Sequence, residues 1–317
     1  MAKKLSRRHF IKSGAIVTAG LSLLPNYIKA EKTMITNNGI RLGGPIDGQF
    51  TDPIEWIKAV KSLRYSAAYC PVQPGASPEM IKSFKEEAKK NNIIIAEVGA
   101  WCNMLDLDEV KWKAAVKKNI DALQLADEIG ACCCVNISGA RGELWDGPYA
   151  ANYAKGTFDL IVETVRNIID HVKPVNTFYT LEPMPYMFPD SPDSCIEMIK
   201  AVDRKQFAVH LDPVNMISSP QKYFNNAAFL KECFKKLGPY IKSIHAKDIV
   251  ILPELTVHLK ECRPGLGTLD YSVFLQETSM LKNIPFMLEH LEKQEDYKLA
   301  ADYVRSVGSK AGISFIE

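Results

Sequence analysis

The sequence lacks three patterns that would each indicate a particular class of protein. It has no G-x-G-x-x-G, so its first glycine-rich stretch, residues 39–48 (GIRLGGPIDG), does not predict a dinucleotide-binding loop. Its eight cysteines form no C-x-x-C pair, which argues against a dithiol redox centre and against a zinc–thiolate site. It has no uncharged apolar run of the roughly 20 residues that a membrane-spanning helix needs. None of these three functions is therefore predicted.

The chain also has no excess of basic charge once its first thirty residues are set aside. The whole sequence has a formal net charge of +2, but residues 1–30 hold six of its 39 Lys and Arg and none of its 37 Asp and Glu. The remainder therefore carries 33 basic and 37 acidic side chains, a net charge of −4. Nothing in this balance indicates a surface for nucleic acid or for a membrane.

The basic first segment has the order of an export signal. Residues 6–12 read SRRHFIK, which closely resembles the twin-arginine signal, and the apolar run at residues 14–24 is too short to span a bilayer. We therefore expect residues 1–30 to be a twin-arginine signal peptide, with Ala30 as a candidate cleavage point, and residues 31–317 to form a single domain. The translocation machinery would then be a partner, and the mature protein would be periplasmic with no stable membrane anchor. The alternative is a basic cytosolic tail before a short helix.

From residue 39 onward, short apolar segments alternate with amphipathic segments of helical length. Eight segments have the length of buried parallel strands, and eight predict helices. Three of these helices begin with a capping residue followed by proline, at Asp52, Ser77 and Ser191. Strict alternation predicts an α/β fold, the (β/α)₈ TIM barrel. A doubly wound open sheet is the alternative, but it would favour a glycine-rich phosphate loop after the first strand, which is missing.

The last four predicted strands end in groups that can bind a metal ion. The stretches are residues 177–183 (TFYTLEP), 206–212 (QFAVHLD), 241–248 (IKSIHAKD) and 284–290 (IPFMLEH), and the candidate ligands are Glu182, Asp212, His245 and Glu289. Because the carboxyl ends of barrel strands meet on one face, we expect these side chains to converge. Three carboxylates and an imidazole suit one divalent ion, namely Mn²⁺, Mg²⁺, Co²⁺ or Zn²⁺. Taken singly, each residue could instead be a helix cap or a hydrogen-bonded core group.

Three connections on the same face carry candidate substrate-binding residues. Residues 139–149 offer a cation and an aromatic plane for a sugar, residues 213–219 offer an amide, and the long connection 249–270 has the length of a lid. In that connection, Gly265 and Gly267 are expected to let the backbone approach a ligand. The candidates are Arg141, Trp145, Asn215, His258 and Arg263, together with Lys247 at the end of the seventh predicted strand.

Five motifs in order, LEPMPY, HLDPVN, HAKD, RPGLGTLDY and MLEH, resemble the sugar phosphate isomerase/epimerase family, whose members have a xylose isomerase-like barrel. The resemblance covers roughly residues 35–315. It implies that the four candidate ligands bind one divalent ion and that Glu182 and Glu289 are the proton-transfer pair, as in ketose epimerases. Those enzymes commonly have histidine three residues after the metal-binding aspartate, where this chain has Asn215. The family's DNA-repair branch needs further histidine ligands on earlier strands, and residues 39–140 contain no histidine.

The resemblance implies a metal-dependent sugar isomerase or epimerase that removes a proton next to a carbonyl. A lyase that cleaves 3-keto-glycosides by β-elimination is the alternative, because it shares this first step. A sugar-binding protein without activity is the second alternative. The expected export favours an unphosphorylated sugar, because phosphorylated sugars are chiefly cytosolic. The sequence leaves open the sugar, the metal and whether the chain forms a homo-oligomer.

Overall fold

The computed structural model describes residues 39–317, so the predicted signal peptide lies outside the described residues. Within this range, nine parallel strand segments form one ring and two further strands form a hairpin. In chain order the strands are β1 (Arg41–Gly44), β2 (Ala67–Ala68), β3 (Ile94–Ile95), β4 (Glu97–Gly99), β5 (Cys133–Asn136), β6 (Phe178–Leu181), β7 (Phe207–Leu211), β8 (Ile241–Ala246), β9 (Asp248–Ile251), β10 (Leu259–Cys262) and β11 (Pro285–Leu288). All but β9 and β10 belong to the ring.

The ring closes at Ala96, the residue between β3 and β4. Strand order around the ring is β3–β2–β1–β11–β8–β7–β6–β5–β4. The N–H of Ala96 donates to the carbonyl of Ala68 at 2.8 Å, and its carbonyl accepts from the N–H of Cys133 at 3.3 Å. Strands β3 and β4 are thus two halves of the third predicted strand, hydrogen-bonded on opposite sides. The nine segments make eight barrel strands, and the predicted α/β TIM barrel is confirmed.

Helices follow the barrel strands and cover the outside of the ring. Within residues 39–317 they are α1 (Pro53–Ser62), α2 (Pro78–Lys90), α3 (Glu109–Ile129), α4 (Lys155–Val172), α5 (Pro192–Val202), α6 (Pro220–Phe224), α7 (Asn226–Leu237), α8 (Tyr271–Met280) and α9 (Gln294–Lys310). Asp52 caps α1 by accepting from the N–H of Ile54, and Ser77 caps α2 by accepting from the N–H of Met80. None of the helices in this range is both long enough and apolar enough to cross a membrane.

The sequence pattern of residues 220–237 predicts one helix, but the structure has two helices that meet at Asn225. The side-chain amide of Asn225 donates to the carbonyl of Gln221 at 2.9 Å, and that of Asn226 donates to the carbonyl of Tyr223 at 2.8 Å. Asparagine side chains that bond to nearby carbonyls offer the backbone an alternative to a continuous helix. The prediction of one uninterrupted helix was wrong at this position.

The long connection predicted at residues 249–270 contains the β9–β10 hairpin, in which Ile251 pairs with Leu259. The chain returns from this hairpin past the buried carboxylate of Asp248, whose Oδ2 accepts the backbone N–H groups of Gly265 and Gly267 at 3.0 and 3.1 Å. A Cβ at Gly267 would lie 2.2 Å from Asp248 Oδ1, so a side chain there would collide with it. The two glycines approach Asp248 rather than the ligand that the sequence led us to expect.

Candidate metal centre and cavity

The four candidate ligands lie at the carboxyl ends of four barrel strands that are consecutive in the ring. Glu182 directly follows β6 and Asp212 directly follows β7. His245 is the last residue but one of β8, and Glu289 directly follows β11. One donor atom of each side chain lies within 4.8 Å of those of the other three, and all four side chains are buried. The fold therefore brings together the residues that the sequence predicts as a metal site.

The donor atoms of this cluster are short of hydrogen-bond partners. His245 Nδ1 lies 2.9 Å from Glu289 Oε2 and 3.4 Å from Glu182 Oε1. Among the described residues, His245 Nδ1, Asp212 Oδ2 and Glu289 Oε1 are buried without a partner of hydrogen-bond geometry. Buried polar atoms are normally satisfied, so orphaned atoms of this kind call for an explanation. Coordination of a divalent ion would satisfy all three, and the donor set fits such an ion.

The ammonium group of Lys247 lies beside the same carboxylates. Its Nζ is 2.9 Å from Asp212 Oδ2 and 2.8 Å from Glu289 Oε1, as ion pairs whose angles do not meet hydrogen-bond geometry. Lys247 is buried, and its Nζ is also 3.4 Å from Glu261 Oε2 on strand β10. With its three carboxylates ionised and His245 neutral, as a metal ligand must be, the cluster and this lysine carry a formal charge of −2. A divalent cation would neutralise that charge in a region that water reaches poorly.

Asn215 links the two sides of the cluster. Its backbone N–H donates to Asp212 Oδ1 at 3.2 Å, and its side-chain amide donates to Glu182 Oε1 at 2.9 Å. Its side-chain carbonyl accepts from Lys247 Nζ at 3.3 Å. Asn215 therefore orients one oxygen of each of two candidate ligands and contacts the lysine. The Glu182 oxygen that accepts from this amide, Oε1, is also the one that lies 3.4 Å from His245 Nδ1, so the amide holds it beside the cluster.

The two glutamates have pKa values that their surroundings shift in opposite directions. Burial raises the pKa of Glu182 to about 7, helped by the Glu289 carboxylate and opposed by His245 and Lys247. Burial also disfavours ionised Glu289, but His245 and Lys247 outweigh it and hold the pKa of Glu289 well below its ordinary value. A bound cation would add positive charge and lower both pKa values. Before a cation is added, Glu182 is the carboxyl that takes up a proton more readily.

A second buried polar group lies directly behind His245, inside the barrel. His245 Nε2 is 3.2 Å from Glu97 Oε1, and Glu97 Oε2 accepts from the hydroxyl of Ser243 at 2.9 Å. The ring of His210 packs against that of His245 with 3.9 Å between centroids and 71° between planes. Burial, with the nearby charge of His245, lowers the pKa of His210 to about 3, so this imidazole is neutral.

A cavity of about 540 Å³ opens above the cluster. Glu182, Glu289, His245 and Lys247 form part of its floor. Two tryptophans on its wall are unusually accessible, Trp101 at 39% and Trp145 at 37% exposed. The lining also includes Tyr69, Glu97, Met184, Pro185, Asn215, Glu261, His290 and Tyr297. Such a combination of apolar walls and a few convergent polar groups is typical of small-molecule sites.

Residues 57–307 match the family model described as xylose isomerase-like TIM barrel. The chain belongs to this family. No curated protein matches the sequence significantly.

Solved structures share the fold at low sequence identity. One is a xylose isomerase-like TIM barrel protein from Mycobacterium smegmatis in complex with magnesium, with 16% identity, a TM-score of 0.60, and coverage of 87% of this chain and 98% of that one. Another is 3-keto-D-glucoside 4-epimerase from E. coli, with 13% identity, a TM-score of 0.62, and coverage of 85% and 99%. A third is D-psicose 3-epimerase with D-tagatose from Clostridium cellulolyticum, with 16% identity, a TM-score of 0.59, and coverage of 84% and 99%. At these identities the likeness shows the fold.

Three of the six candidate substrate-binding residues in this xylose isomerase-like barrel line the cavity, namely Asn215, Trp145 and Lys247. The other three do not. The guanidinium of Arg141 donates to the carbonyl of Leu105 at 2.9 Å.

The remaining two candidates, on either side of strand β10, make contacts outside the cavity lining. His258 lies just before β10, where its ring contacts the Thr256 hydroxyl at 3.0 Å in an exposed position. Arg263 follows β10, donates to the carbonyl of Pro264 and lies 3.6 Å from Asp296 Oδ1. The sequence of a loop does not show which of its side chains will face the cavity.

Several residues of the site were absent from the sequence-based prediction. Glu97 and His210 are charged or polar residues inside otherwise apolar strands, and that position is a signal that could have indicated them. Trp101 lies in the connection after strand β4, and Trp145 lies in the connection after β5. Glu261 and His290 meet across the cavity, with 3.3 Å between Glu261 Oε2 and His290 Nδ1, and no local pattern indicates that contact.

Proposed function

We propose that this protein is a divalent-metal-dependent isomerase or epimerase of an unphosphorylated sugar, acting by proton transfer at a carbon next to a carbonyl. The observation that carries the proposal is the pair Glu182 and Glu289, two carboxylates on the cavity floor that both contact His245 Nδ1. Structures with the same fold include two sugar epimerases, which supports the same class of reaction here. A divalent ion bound by the four-residue cluster would polarise the sugar carbonyl and so acidify the neighbouring C–H bond.

The two glutamates would have different roles in the proton transfer. Glu289, which His245 and Lys247 keep ionised, takes the proton from the sugar carbon through Oε1 or Oε2. Glu182, whose pKa lies above that of Glu289 before a cation binds, is the group that returns a proton to the sugar carbon. Pairs of carboxyl groups whose environments push their pKa values apart are suited to such a division of roles.

Other residues of the cavity would bind and orient the sugar. The ammonium of Lys247 and the amide of Asn215 lie on the floor, where they can bind sugar oxygens. Trp101 and Trp145 offer aromatic faces for the C–H groups of a sugar ring and reduce the access of water.

The charge of the cavity supports an unphosphorylated substrate. Its acidic lining residues are Glu97, Asp146, Glu182, Glu261 and Glu289, whereas Lys247 is its one lysine and it has no arginine. A phosphate group would bring more negative charge towards these carboxylates and would find no bidentate arginine partner.

The size of the cavity supports a second candidate reaction, the β-elimination of a 3-keto-glycoside. A hexose has twelve non-hydrogen atoms, which would occupy at most about 360 Å³ at the ~30 Å³ that a molecule of liquid water takes up. The cavity of about 540 Å³ therefore has room for a further group, such as the aglycone of a glycoside. The first step would again be removal of a proton next to a carbonyl, and the leaving group would depart instead of the proton returning.

An assay in heavy water separates these functions. We expect the metal-loaded protein to incorporate deuterium at one carbon of an intact sugar, measured by NMR and mass spectrometry across a panel of ketoses and a 3-keto-glucoside. Release of the aglycone with formation of an unsaturated keto-sugar would assign the lyase reaction instead. If the protein binds the sugars but neither exchanges a proton nor releases a product, the proposed function is wrong and a sugar-binding role replaces it.

We also propose that the protein is exported, as the motif SRRHFIK and the apolar run after it predict. Replacing both Arg7 and Arg8 with lysine keeps the charge of the segment and removes the arginine pair. We expect the doubly substituted chain to stay in the cytosol, because the pair is the feature that resembles the signal. Cell fractionation measures the result, with Arg64→Lys, on the surface of the barrel, as the matched control. Normal arrival of the doubly substituted chain in the periplasm would show that the signal was misread.

A further inference from the structure

Glu97 contacts the back of a candidate ligand rather than the cluster itself. Its Oε1 is 3.2 Å from His245 Nε2, whereas the opposite ring nitrogen, His245 Nδ1, faces Glu182 and Glu289. Glu97 lies on strand β4 and His245 on strand β8, and the two residues are 148 positions apart in the sequence. Glu97 is buried, and the hydroxyl of Ser243 at 2.9 Å donates to its second oxygen. The carboxylate therefore has one orientation, and it is aimed at the imidazole.

The geometry points to Glu97 as the positioning residue for His245: by accepting the proton on Nε2, it directs the lone pair of Nδ1 into the metal cluster. This inference rests on the metal site proposed above. A histidine that binds a metal must do so through an unprotonated nitrogen, and the partner of the other nitrogen decides which one that is. His210 supports the same arrangement, because its ring packs against the His245 ring and limits its rotation.

A competing interpretation treats the same three residues as ligands of a second ion. Donor atoms of Glu97, His210 and His245 lie within 4.8 Å of one another. Such an ion would have to take His245 Nε2 while the first ion takes Nδ1, so the imidazole would lose both of its protons. The hydrogen bond to Glu97 needs no such deprotonation, which favours positioning. The number of ions bound per chain distinguishes the two interpretations.

The test measures the affinity of the full chain for Mn²⁺ and Co²⁺ by titration calorimetry. Glu97→Leu removes the acceptor at similar size, and we expect it to weaken metal binding by about 10- to 100-fold. Glu97→Gln keeps an oxygen that can accept from Nε2, so we expect it to restore most of the affinity. Thr180→Val is the matched control, because Thr180 is also buried on a barrel strand but bonds to the carbonyl of Cys134, and we expect no change.

A spectroscopic measurement tests the direction of the ring without any assay of activity. In the Co²⁺-loaded chain, we expect one strongly shifted, slowly exchanging imidazole N–H signal in the NMR spectrum, from Nε2 of His245. In Glu97→Leu we expect that signal to exchange with solvent faster or to disappear, and in Thr180→Val to persist.

Three results would overturn the inference. They are an unchanged affinity and N–H signal in both Glu97 variants, two bound ions in the wild type with only one in Glu97→Leu, and a wild-type chain that binds no divalent ion. If Glu97→Leu fails to fold, Ser243→Ala replaces it, since loss of that hydroxyl frees the carboxylate and should weaken metal binding measurably. Failure of the sugar assay would leave these measurements unaffected, so the two proposals fail separately.

Discussion

His245→Ala and Asp212→Ala are each expected to abolish stoichiometric binding of a divalent ion. We expect the affinity to fall by more than ~100-fold, because loss of a residue that only orients a metal ligand already costs up to about 100-fold. Each substitution removes one of four convergent donors, and each takes one partner away from a buried charged group. In Asp212→Ala that charge is the ammonium of Lys247, which lies 2.9 Å from Asp212 Oδ2. Elemental analysis of the purified protein and titration calorimetry measure the loss.

The matched control for the histidine substitution is His171→Ala. His171 is exposed in the last turn of α4, so its removal changes the histidine content without touching the cavity. We expect about one ion per chain in this variant, as in the wild type. Full occupancy in both His245→Ala and Asp212→Ala would exclude these residues as ligands, and circular dichroism of each variant would show whether the barrel is intact.

Glu182→Gln and Glu289→Gln are each expected to lower the rate of proton transfer by roughly 10²–10⁴-fold, the typical contribution of a general acid or base. Glutamine keeps the size of the side chain and an oxygen acceptor, so the amide of Asn215 can still donate to the side chain at position 182. What is lost is basicity. Because each glutamate is also a candidate ligand, metal content is measured in every sample and rates are compared per bound ion.

Glu261→Gln is the control for this pair. Glu261 also lines the cavity and contacts Lys247, but it lies on the β9–β10 hairpin and is not among the four clustered ligands. We expect its substitution to change the rate by less than ~10-fold. Loss of a general base lowers a rate by at least about 100-fold, so the two outcomes can be told apart. If metal-loaded Glu182→Gln or Glu289→Gln exchanged deuterium at the wild-type rate, that glutamate would not be a proton-transfer group.

The metal cluster could be predicted from the sequence because each ligand is a local feature. Glu182, Asp212, His245 and Glu289 each stand at the end of a short apolar segment, and parallel strands in a barrel end on one face. Convergence therefore follows from the order of strands, without knowledge of any distance. The same reasoning could not give the role of Lys247, whose position between two carboxylates depends on how β8 sits beside β7 and β11.

The candidate substrate-binding residues show where local reasoning stops. Trp145 and Arg141 lie four residues apart in one loop, yet Trp145 lines the cavity while Arg141 turns to the carbonyl of Leu105. The predicted lid is a hairpin, and its pairing decides that Glu261 reaches the cavity while His258 lies in the exposed turn before β10. These outcomes depend on turns and on long-range hydrogen bonds, which no short sequence pattern specifies.

By itself, the sequence determined the α/β barrel and the four ligands at its carboxyl-terminal face, because the alternation of apolar segments and the polar residue that ends each one are local properties of the chain. Only the tertiary structure decided which residues lie behind the cluster: Glu97 contacts His245 across 148 residues of sequence, and His210 packs against the His245 imidazole. These contacts form because closure of the barrel at Ala96 brings the inward-facing side chains of distant strands together. Which inward side chains meet depends on strand register, and register is a property of the closed barrel rather than of any one strand.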